Sequence, residues 1–414
     1  MQTVFFDSTK HTLKLSAETV IKKQIRQKEA ISFREFMEIA LYHSEVGYYT
    51  SSKSIIENFY TSPYTHPAFG ASLCLQLNQM WIAMGEPKVF VVIEVGCGDG
   101  ILAQDIVSYA KSNRLPFINA LEYVAVDRSK SLISSLVGID GFNKVISDLD
   151  SFKDVVGCII SNELIDSFPV NRFKIKDGRI CEIMVTLLNG RFSEILSTAP
   201  EPMIIERLSD LSWDLPDDFE GEINGSIGSW VKSLSTVLSA GFVITIDYGN
   251  DHIRLYDPDN MLSSIRSYRK HTQPISLYDQ IGYCDITADV DFSWLISESE
   301  RCDLQSLYIM NQREFLSGWG VENWIDDIRV KKISQNVLHS NLVGIRQLMR
   351  DDGFGQFKVL IQYIGKEIDS LGSILPVKTS GDGYPVPMLT GKHADYLGSK
   401  YPHVTETEFN RLFF

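Results

Sequence analysis

Residues 89–95, Val-Phe-Val-Val-Ile-Glu-Val, form a nearly unbroken apolar run. A central parallel strand buried on both faces has this pattern. It gives way to Gly96, Gly98 and Gly100, after which Ile101 to Lys111 has the spacing of an amphipathic helix, so the stretch predicts strand, tight turn and helix. Similar strand runs recur at 122–127 (EYVAVD), 144–146, 155–160 and 241–247 (GFVITID), and LQSLYIM (304–310) and FKVLIQYIG (357–365) supply the last strands. Apolar residues at helical intervals, from Ile21 and Ile25 through Phe33, Phe36, Met37, Ala40 and Leu41, predict helix across Ser16 to Tyr49. Further helices are expected from Ala68 to Met84, stopped by Gly85 and Pro87, and from about Ser226 to Ala240.

Other segments interrupt this α/β alternation. Pro63 and Pro67, set among aromatics in NFYTSPYTHPAFG, break regular structure and predict a loop, whose rings either cover a cofactor or pack on the core. Residues 170–197 alternate polar and apolar around the turn signals KDGR (176–179) and Asn189-Gly190, as an inserted β-hairpin or meander would. Asn250 to Phe292 is irregular and polar, a second insertion, and the tail from Pro376 has no clear period and no assignable role.

In open α/β sheets ligands bind beyond the carboxyl ends of the strands, so the candidate chemistry is sought there. The glycines are not a dinucleotide fingerprint, G-x-G-x-x-G, because position 101 is Ile and the third glycine arrives one residue early. Glu94, two residues before the first glycine, would repel a pyrophosphate and suits a cationic ligand end. Asp127 ends the next strand, about where an acid meets ribose hydroxyls in nucleotide folds. Asp148 either reaches an adenine amino group or is a surface turn acid. Ser161, Asn162, Glu163 and Asp166 crowd the end of the following strand, as a catalytic edge, a helix cap or both, with Glu163 taken as functional.

Composition narrows the choice. A chain of 414 residues is long enough for one large α/β domain with elaborations or for two domains. A formal charge of −14 argues against a general nucleic-acid binder, which needs a basic face, and is compatible with a basic peptide substrate. Six cysteines without a C-x-x-C pair, and scattered histidines, suggest neither a disulfide framework nor a metal site. The first twenty residues carry Asp7 and Glu18 and resemble neither a secretory signal nor a transit peptide, and no stretch has the length of a membrane span. A cytoplasmic location is expected, or the mitochondrial matrix if the source is eukaryotic.

The E-x-G-x-G-x-G spacing resembles motif I of the class I S-adenosylmethionine (SAM) methyltransferases. More of the chain resembles the MidA-like branch of that class, which includes the mitochondrial complex I assembly methyltransferase. The likeness runs from about Ile31 to Gly365 through FMEIALYHSEVGYY, NFYTSPYTHPAFG, VIEVGCGDGILAQDI, SNELIDSFPVNRF, ITIDYG, SIRSYRKH, DITADVDF, NQREFL and GFGQFKVLIQ, in that order. The resemblance implies a doubly wound, mostly parallel, seven-stranded Rossmann-like sheet with inserted helices and β-hairpins, an antiparallel strand near one edge, and SAM as cofactor. The expected organisation is an N-terminal helical region with the aromatic lid loop (1–87), a core built from 88–168, 226–250 and 300–366, inserts at 169–225 and 251–299, the latter covering the substrate, and a C-terminal extension (367–414).

Carried over by matching motif, Glu94, Gly96, Gly98, Gly100 and Asp127 would hold SAM, with Asp148 at the adenine and Thr61, Ser62 and Pro63 lining the same cleft. Asn162, Glu163 and Asp166 would face the methyl and the nucleophile. Asp247, Tyr248, Arg266, His271, Thr287, Asp289 and Asp291 would belong to the covering insertion, the first four as substrate contacts; His271 is otherwise a surface histidine beside Arg269 and Lys270. The implied reaction is methylation of a protein arginine during complex I assembly. A small-molecule hydroxyl or amine as acceptor, and a SAM-binding assembly factor without turnover, are the alternatives. The chain departs from the family's G-D-F-x-T-S-P-E loop, since Glu57 to Tyr64 reads ENFYTSPY and lacks both the Asp and the final Glu. Paired carboxylates match the planar fork of a guanidinium, so the acceptor is the open point.

Overall fold

The computed structural model describes residues 15–51, 61–138, 141–259, 263–268, 276–366, 374–375 and 383–393. Helix α1 (Ala17–Lys28) is capped by Ser16, whose side chain accepts from the Thr19 N–H. The chain then forms strand β1 (Ala30–Ser32) and helix α2 (Phe33–Tyr42), where Ser32 and Glu35 make a capping box. A continuous helix over Ser16 to Tyr49 is therefore corrected. Glu29 breaks it with a φ of 70°, and Ala30 to Ser32 extend to pair with a strand of the insertion.

Then come the short α3 (Ser62–Thr65), the largely buried α4 (Ala68–Ala83), β2 (Phe90–Val95), α5 (Ile101–Ser112), β3 (Leu121–Val126), α6 (Lys130–Leu136), β4 (Lys144–Ile146) and β5 (Val155–Asn162). The insertion supplies β6 (Asn171–Lys176), β7 (Arg179–Leu188), β8 (Arg191–Ser197), α7 (Pro202–Ser209) and β9 (Glu220–Ile223). The core resumes with α8 (Ile227–Val237) and β10 (Leu238–Asp247). Here the helix stops at Val237 and the strand starts three residues before Gly241, because Leu238 already pairs with Val155 across a bulge. After β11 (Gly249–Asn250), α9 (His252–Leu255), β12 (Arg266–Tyr268), β13 (Asp285–Thr287) and β14 (Val290–Asp291) come α10 (Phe292–Arg301), β15 (Gln305–Asn311), α11 (Gln312–Gly318), α12 (Val321–Val330), α13 (Gln335–Leu348) and β16 (Lys358–Ile364).

The main sheet has seven strands in the order β15-β16-β10-β5-β2-β3-β4. Strands β10, β5, β2, β3 and β4 are parallel, and β16 runs antiparallel to both of its neighbours. Successive side chains of a strand point to opposite faces, and here both faces are covered. Val92 joins the cluster under α4, α5 and α11 to α13, whereas Ile93 joins the one under α8, and each is fully buried. This is the doubly wound arrangement that the resemblance implies.

A second sheet carries the insertion. Strand β7 pairs antiparallel with β1, β6 and β8, and β6 pairs with β9, so the N-terminal segment and the insertion share one five-stranded sheet. Helices α1 and α2 pack on it through a core of their own, with Ile21, Ile31, Phe33, Phe36 and Val185. Phe36 is fully buried, 5.5 Å from the Phe33 ring and 5.3 Å from Tyr278. The described part of the tail lies against α5 and α12, where Trp324 donates to the Tyr384 carbonyl (3.0 Å) and His393 Nε2 lies 3.0 Å from Asp105. Among the described residues no helix is long and apolar enough to cross a membrane.

Truncating Phe36 leaves a large cavity in the smaller core. We expect Phe36→Ala to cost about 3–5 kcal/mol and to lower the thermal midpoint clearly in a calorimetric scan. An unchanged midpoint would contradict the separate core beneath α2.

Candidate active site

The carboxyl ends of β2, β3, β5 and β10 open on a cavity of about 1000 Å³, which also borders α2, the turn α3, β12 and β13. This lies at the upper end of the size of small-molecule sites. Its lining falls into two halves.

The first half is built on β2 and β3. Gly96, Gly98 and Gly100 all have positive φ (76°, 55° and 77°), a conformation that costs glycine little. A Cβ on Gly100 would come within 2.5 Å of the Phe142 ring, whereas one on Gly98 would meet no protein atom within 4 Å. The turn is thus closed behind and open towards the cavity. Asp127 ties it to β3, accepting from the Ser129 N–H (2.8 Å) and from the Gly98 N–H (3.3 Å). Glu94 is buried and accepts from the Tyr123 hydroxyl at 2.9 Å. Burial pushes its carboxyl up to about 8, against the Tyr123 hydrogen bond and helped by the charges of Asp99 and Asp127. Burial raises Asp127 as well, opposed by its two N–H donors. Asp148 lines the same half and also caps the turn at Leu149, accepting from the Asp150 N–H (3.0 Å), as a turn acid does.

The second half is built on the end of β5. Asn162, Glu163 and Asp166 all line the cavity. Glu163 has a φ of 49°, a left-handed conformation uncommon for a residue with a side chain. Its Oε1 accepts from Asn162 Nδ2 (3.2 Å) and from the Ser62 N–H (3.4 Å). Burial, then the charge of Asp247, pushes Glu163 up to about 8. Asp166 is held well above the usual carboxylate range by burial and by Asp247, Asp285 and Glu163. Its Oδ1 is buried with no partner of ordinary hydrogen-bond geometry, the Ser167 N–H being only a weak neighbour.

Several expected contacts sit elsewhere. Asp247 is fully buried and does not line the cavity. Its Oδ2 accepts from the N–H groups of Leu164 (3.2 Å), Ile165 (2.9 Å) and Asp166 (3.3 Å), and its Oδ1 from Tyr248 (3.0 Å). It holds the turn that presents Glu163 and Asp166, and its carboxylate has no face left for a substrate. Ser62 also faces away, donating its hydroxyl to Gln312 Oε1 (3.0 Å), although Thr61 and Pro63 line the cavity as expected. Asp291 caps α10 and pairs with Arg207 (2.7 Å) outside the cavity. Tyr248, Arg266, Thr287 and Asp289 do line it, with Arg266 paired to Asp289 at 3.2 Å. His271 lies outside the described residues.

The sequence reasoning missed Tyr42, Tyr49, Tyr64, Arg128 and Asp285, all of which line the cavity. Four of them stand inside motifs already singled out, ALYHSEVGYY, NFYTSPY and DITADVDF, where no periodicity distinguishes a lining residue from a packing one. Arg128 carried only its position after Asp127. Among the described residues no group of three or more His, Cys, Asp or Glu side chains could hold a metal ion.

Comparison with known proteins agrees with this geometry. A family profile described as "Putative S-adenosyl-L-methionine-dependent methyltransferase" matches residues 72–310. The mouse mitochondrial protein arginine methyltransferase NDUFAF7 is 26% identical over 340 residues, 74% of each chain, and the human one is 25% identical over 365 residues, 80% of each. An uncharacterised protein of Burkholderia thailandensis superposes with a TM-score of 0.73 at 22% identity, covering 85% of this chain and 92% of its own. A structure from the same organism bound to S-adenosyl-homocysteine gives 0.73 at 21% identity, covering 86% and 94%. The first half of the cavity fits such a cofactor by its own chemistry: Glu94 for a cationic end, Asp127 for ribose hydroxyls, and the open face at Gly98 for close approach.

Two expectations follow. A carboxylate accepting hydroxyls contributes roughly 1.5–3 kcal/mol per charged hydrogen bond, so Asp127→Ala should weaken SAM binding tenfold or more in calorimetry. Burial pushes the Glu94 carboxyl up to about 8 against an ordinary 4.5, and a bound cation favours its charged form. SAM affinity should therefore rise with pH towards about 8 and level off above it, by at most about tenfold per unit, as release of one proton requires. Glu94→Gln should flatten that profile, and a profile already flat in the wild type would remove Glu94 from the cation site.

Proposed function

The chain belongs to this family of S-adenosyl-L-methionine-dependent methyltransferases, and we propose that it methylates a protein side chain, arginine first, with Glu163 taking the acceptor's proton. SAM is its methyl donor, and when bound it supplies an electrophilic methyl group on a sulfonium. The observation that carries the reading is the placement of Glu163. Its carboxylate faces the same cavity as the glycine turn, held by Asn162 and the Ser62 N–H on a turn that Asp247 clamps.

A guanidinium ionises above pH 12, so its nitrogen lone pair has to be localised before it can attack. Glu163 would accept an N–H of the guanidinium, hold the attacking nitrogen in line and take the proton as the new bond forms. Asn162 orients Glu163, and Asp166 shares the cation. A carboxyl pushed up to about 8 is a better proton acceptor than an ordinary glutamate, and the incoming cation favours its ionised form. The relatives named as protein arginine methyltransferases support the choice of acceptor, at about one residue in four identical. The respiratory complex I subunit implied by the resemblance is the first target to test. Those relatives are mitochondrial proteins, which favours the matrix in a eukaryotic source and the cytoplasm otherwise.

The deciding experiment supplies labelled-methyl SAM and a lysate and separates protein from small molecules. We expect label in protein, recovered as methylarginine on hydrolysis. Label in the small-molecule fraction alone would favour a small hydroxyl or amine as acceptor, and SAM binding without transfer would favour an assembly factor. Glu163→Gln should lower kcat by about 10²–10⁴ and leave SAM affinity unchanged. The wild-type kcat/KM should rise with pH through a limb near the raised value of Glu163, about 8 in the free enzyme, and the variant should lack it.

A further inference from the structure

Part of the cavity wall comes from the N-terminal helices and the second insertion. Tyr42 ends α2 and Tyr49 follows in the next turn, with stacked rings 5.5 Å apart at 25°. Tyr42 is fixed by Ser167, its hydroxyl lying 2.7 Å from the Ser167 hydroxyl and donating to the Ser167 carbonyl at 3.0 Å. Tyr49 donates to Asp285 Oδ1 at 2.6 Å. Asp285 opens β13 and lines the cavity together with Asp166.

The polar atoms here are unevenly matched. Asp166 is only 5% exposed and its Oδ1 has no partner of ordinary geometry; Asn162 Oδ1, beside it, is buried without a partner too. Both are acceptors, and both line the cavity. A buried acceptor left unmatched costs roughly 1–3 kcal/mol, so a ligand rich in N–H groups is the natural complement. Of the cations in the lining, Arg266 is already paired to Asp289. Arg128 rests over the Tyr42 ring, 5.2 Å from its centroid, so this aromatic wall already carries one guanidinium.

We propose that Asp285, oriented by Tyr49, and Asp166 form a two-carboxylate clamp that reads the acceptor as a guanidinium and presents it to Glu163. This rests on the arginine reading above and deepens it. A guanidinium offers five N–H donors in a planar fork, enough to meet Asp285, the unmatched Oδ1 of Asp166 and that of Asn162 while still reaching Glu163. A lysine ammonium offers three donors from a single point, too few to meet the same four groups. The clamp also supplies the paired carboxylates that the loop 57–64 lacks. Asp285 touches the substrate, and Tyr49 is a positioning residue acting through it.

The test uses the full chain and two pools of short peptides, each peptide carrying one arginine or, in the matched pool, one lysine at the same position. Methyl incorporation gives apparent KM and kcat, and calorimetry gives SAM affinity. Wild type should methylate the arginine pool and leave the lysine pool unmodified. Asp285→Asn, close to isosteric, should raise KM for the arginine pool at least tenfold with SAM affinity within twofold. Tyr49→Phe keeps the ring and loses the hydroxyl, and should raise KM several-fold with a smaller change in kcat. An active wild type with unchanged KM in Asp285→Asn, or equal methylation of the lysine pool, overturns the clamp alone. A wild type that binds SAM and modifies no arginine overturns the arginine reading, and the clamp with it.

Discussion

The active-site wall depends on one buried carboxylate that faces away from the cavity. Asp247, at the end of β10, collects the N–H groups of Leu164, Ile165 and Asp166 as the chain leaves β5. Without that acceptor, three amides of a tight, partly buried turn would need other partners, at roughly the cost of a lost hydrogen bond each. The same turn contains Glu163 at a φ of 49°, which surrounding contacts have to enforce. One more bond, from the Glu163 N–H to the Ile246 carbonyl at 2.8 Å, continues the pairing of β5 with β10 into the turn. Sheet register and catalytic geometry are therefore the same constraint, since a shift of β10 against β5 would move Glu163 and Asp166 together.

Electrostatics follow from that placement. Burial raises Asp247 against the pull of its four N–H donors, whereas Asp166, close by and with an unmatched Oδ1, is held well above the usual carboxylate range. Glu94 and Glu163 are each pushed up to about 8, chiefly by burial. A nearby cation favours the ionised form of either carboxyl, so both halves of the cavity suit positively charged ligands. The chain's net charge of −14 adds a field of the same preference at longer range.

Much of this was legible in the residues and some was not, for identifiable reasons. The central strands could be read because burial on both faces leaves an unbroken apolar run, as in Val89 to Val95, and the glycine turn because positive φ at three positions admits little else. Asp247 was misread as a substrate contact because an acid at a strand end looks the same in sequence whether it faces a ligand or the backbone of the next turn. The break at Glu29 was hidden because Ile21, Ile25, Phe33 and Phe36 keep helical intervals across it, and only pairing with β7, some 150 residues away, selects the strand. Asp285 was passed over because DITADVDF contains three acids, and spacing does not reveal which one Tyr49 reaches.

The division of the molecule into cores gives these local facts a larger consequence. Glu94, the glycines and Asp127 stand on the seven-stranded sheet and its two faces of helices. Tyr42 and Tyr49 stand on a different core, the one formed by α1, α2 and the five-stranded sheet. Glu163 and Asp166 lie at the seam, reached from one side by Ser62 and from the other by the wall around Asp285. Changes in the second core, or in the loop leading to α3, can then reshape acceptor recognition without disturbing the donor's strand and turn. That separation accounts for how this chain keeps the glycine turn and Asp127 while departing from its relatives in the loop before Tyr64. A carboxylate lost from a loop can be replaced by one on β13, because what an acceptor cation requires is charge and hydrogen-bond geometry in the cavity, whichever segment provides them.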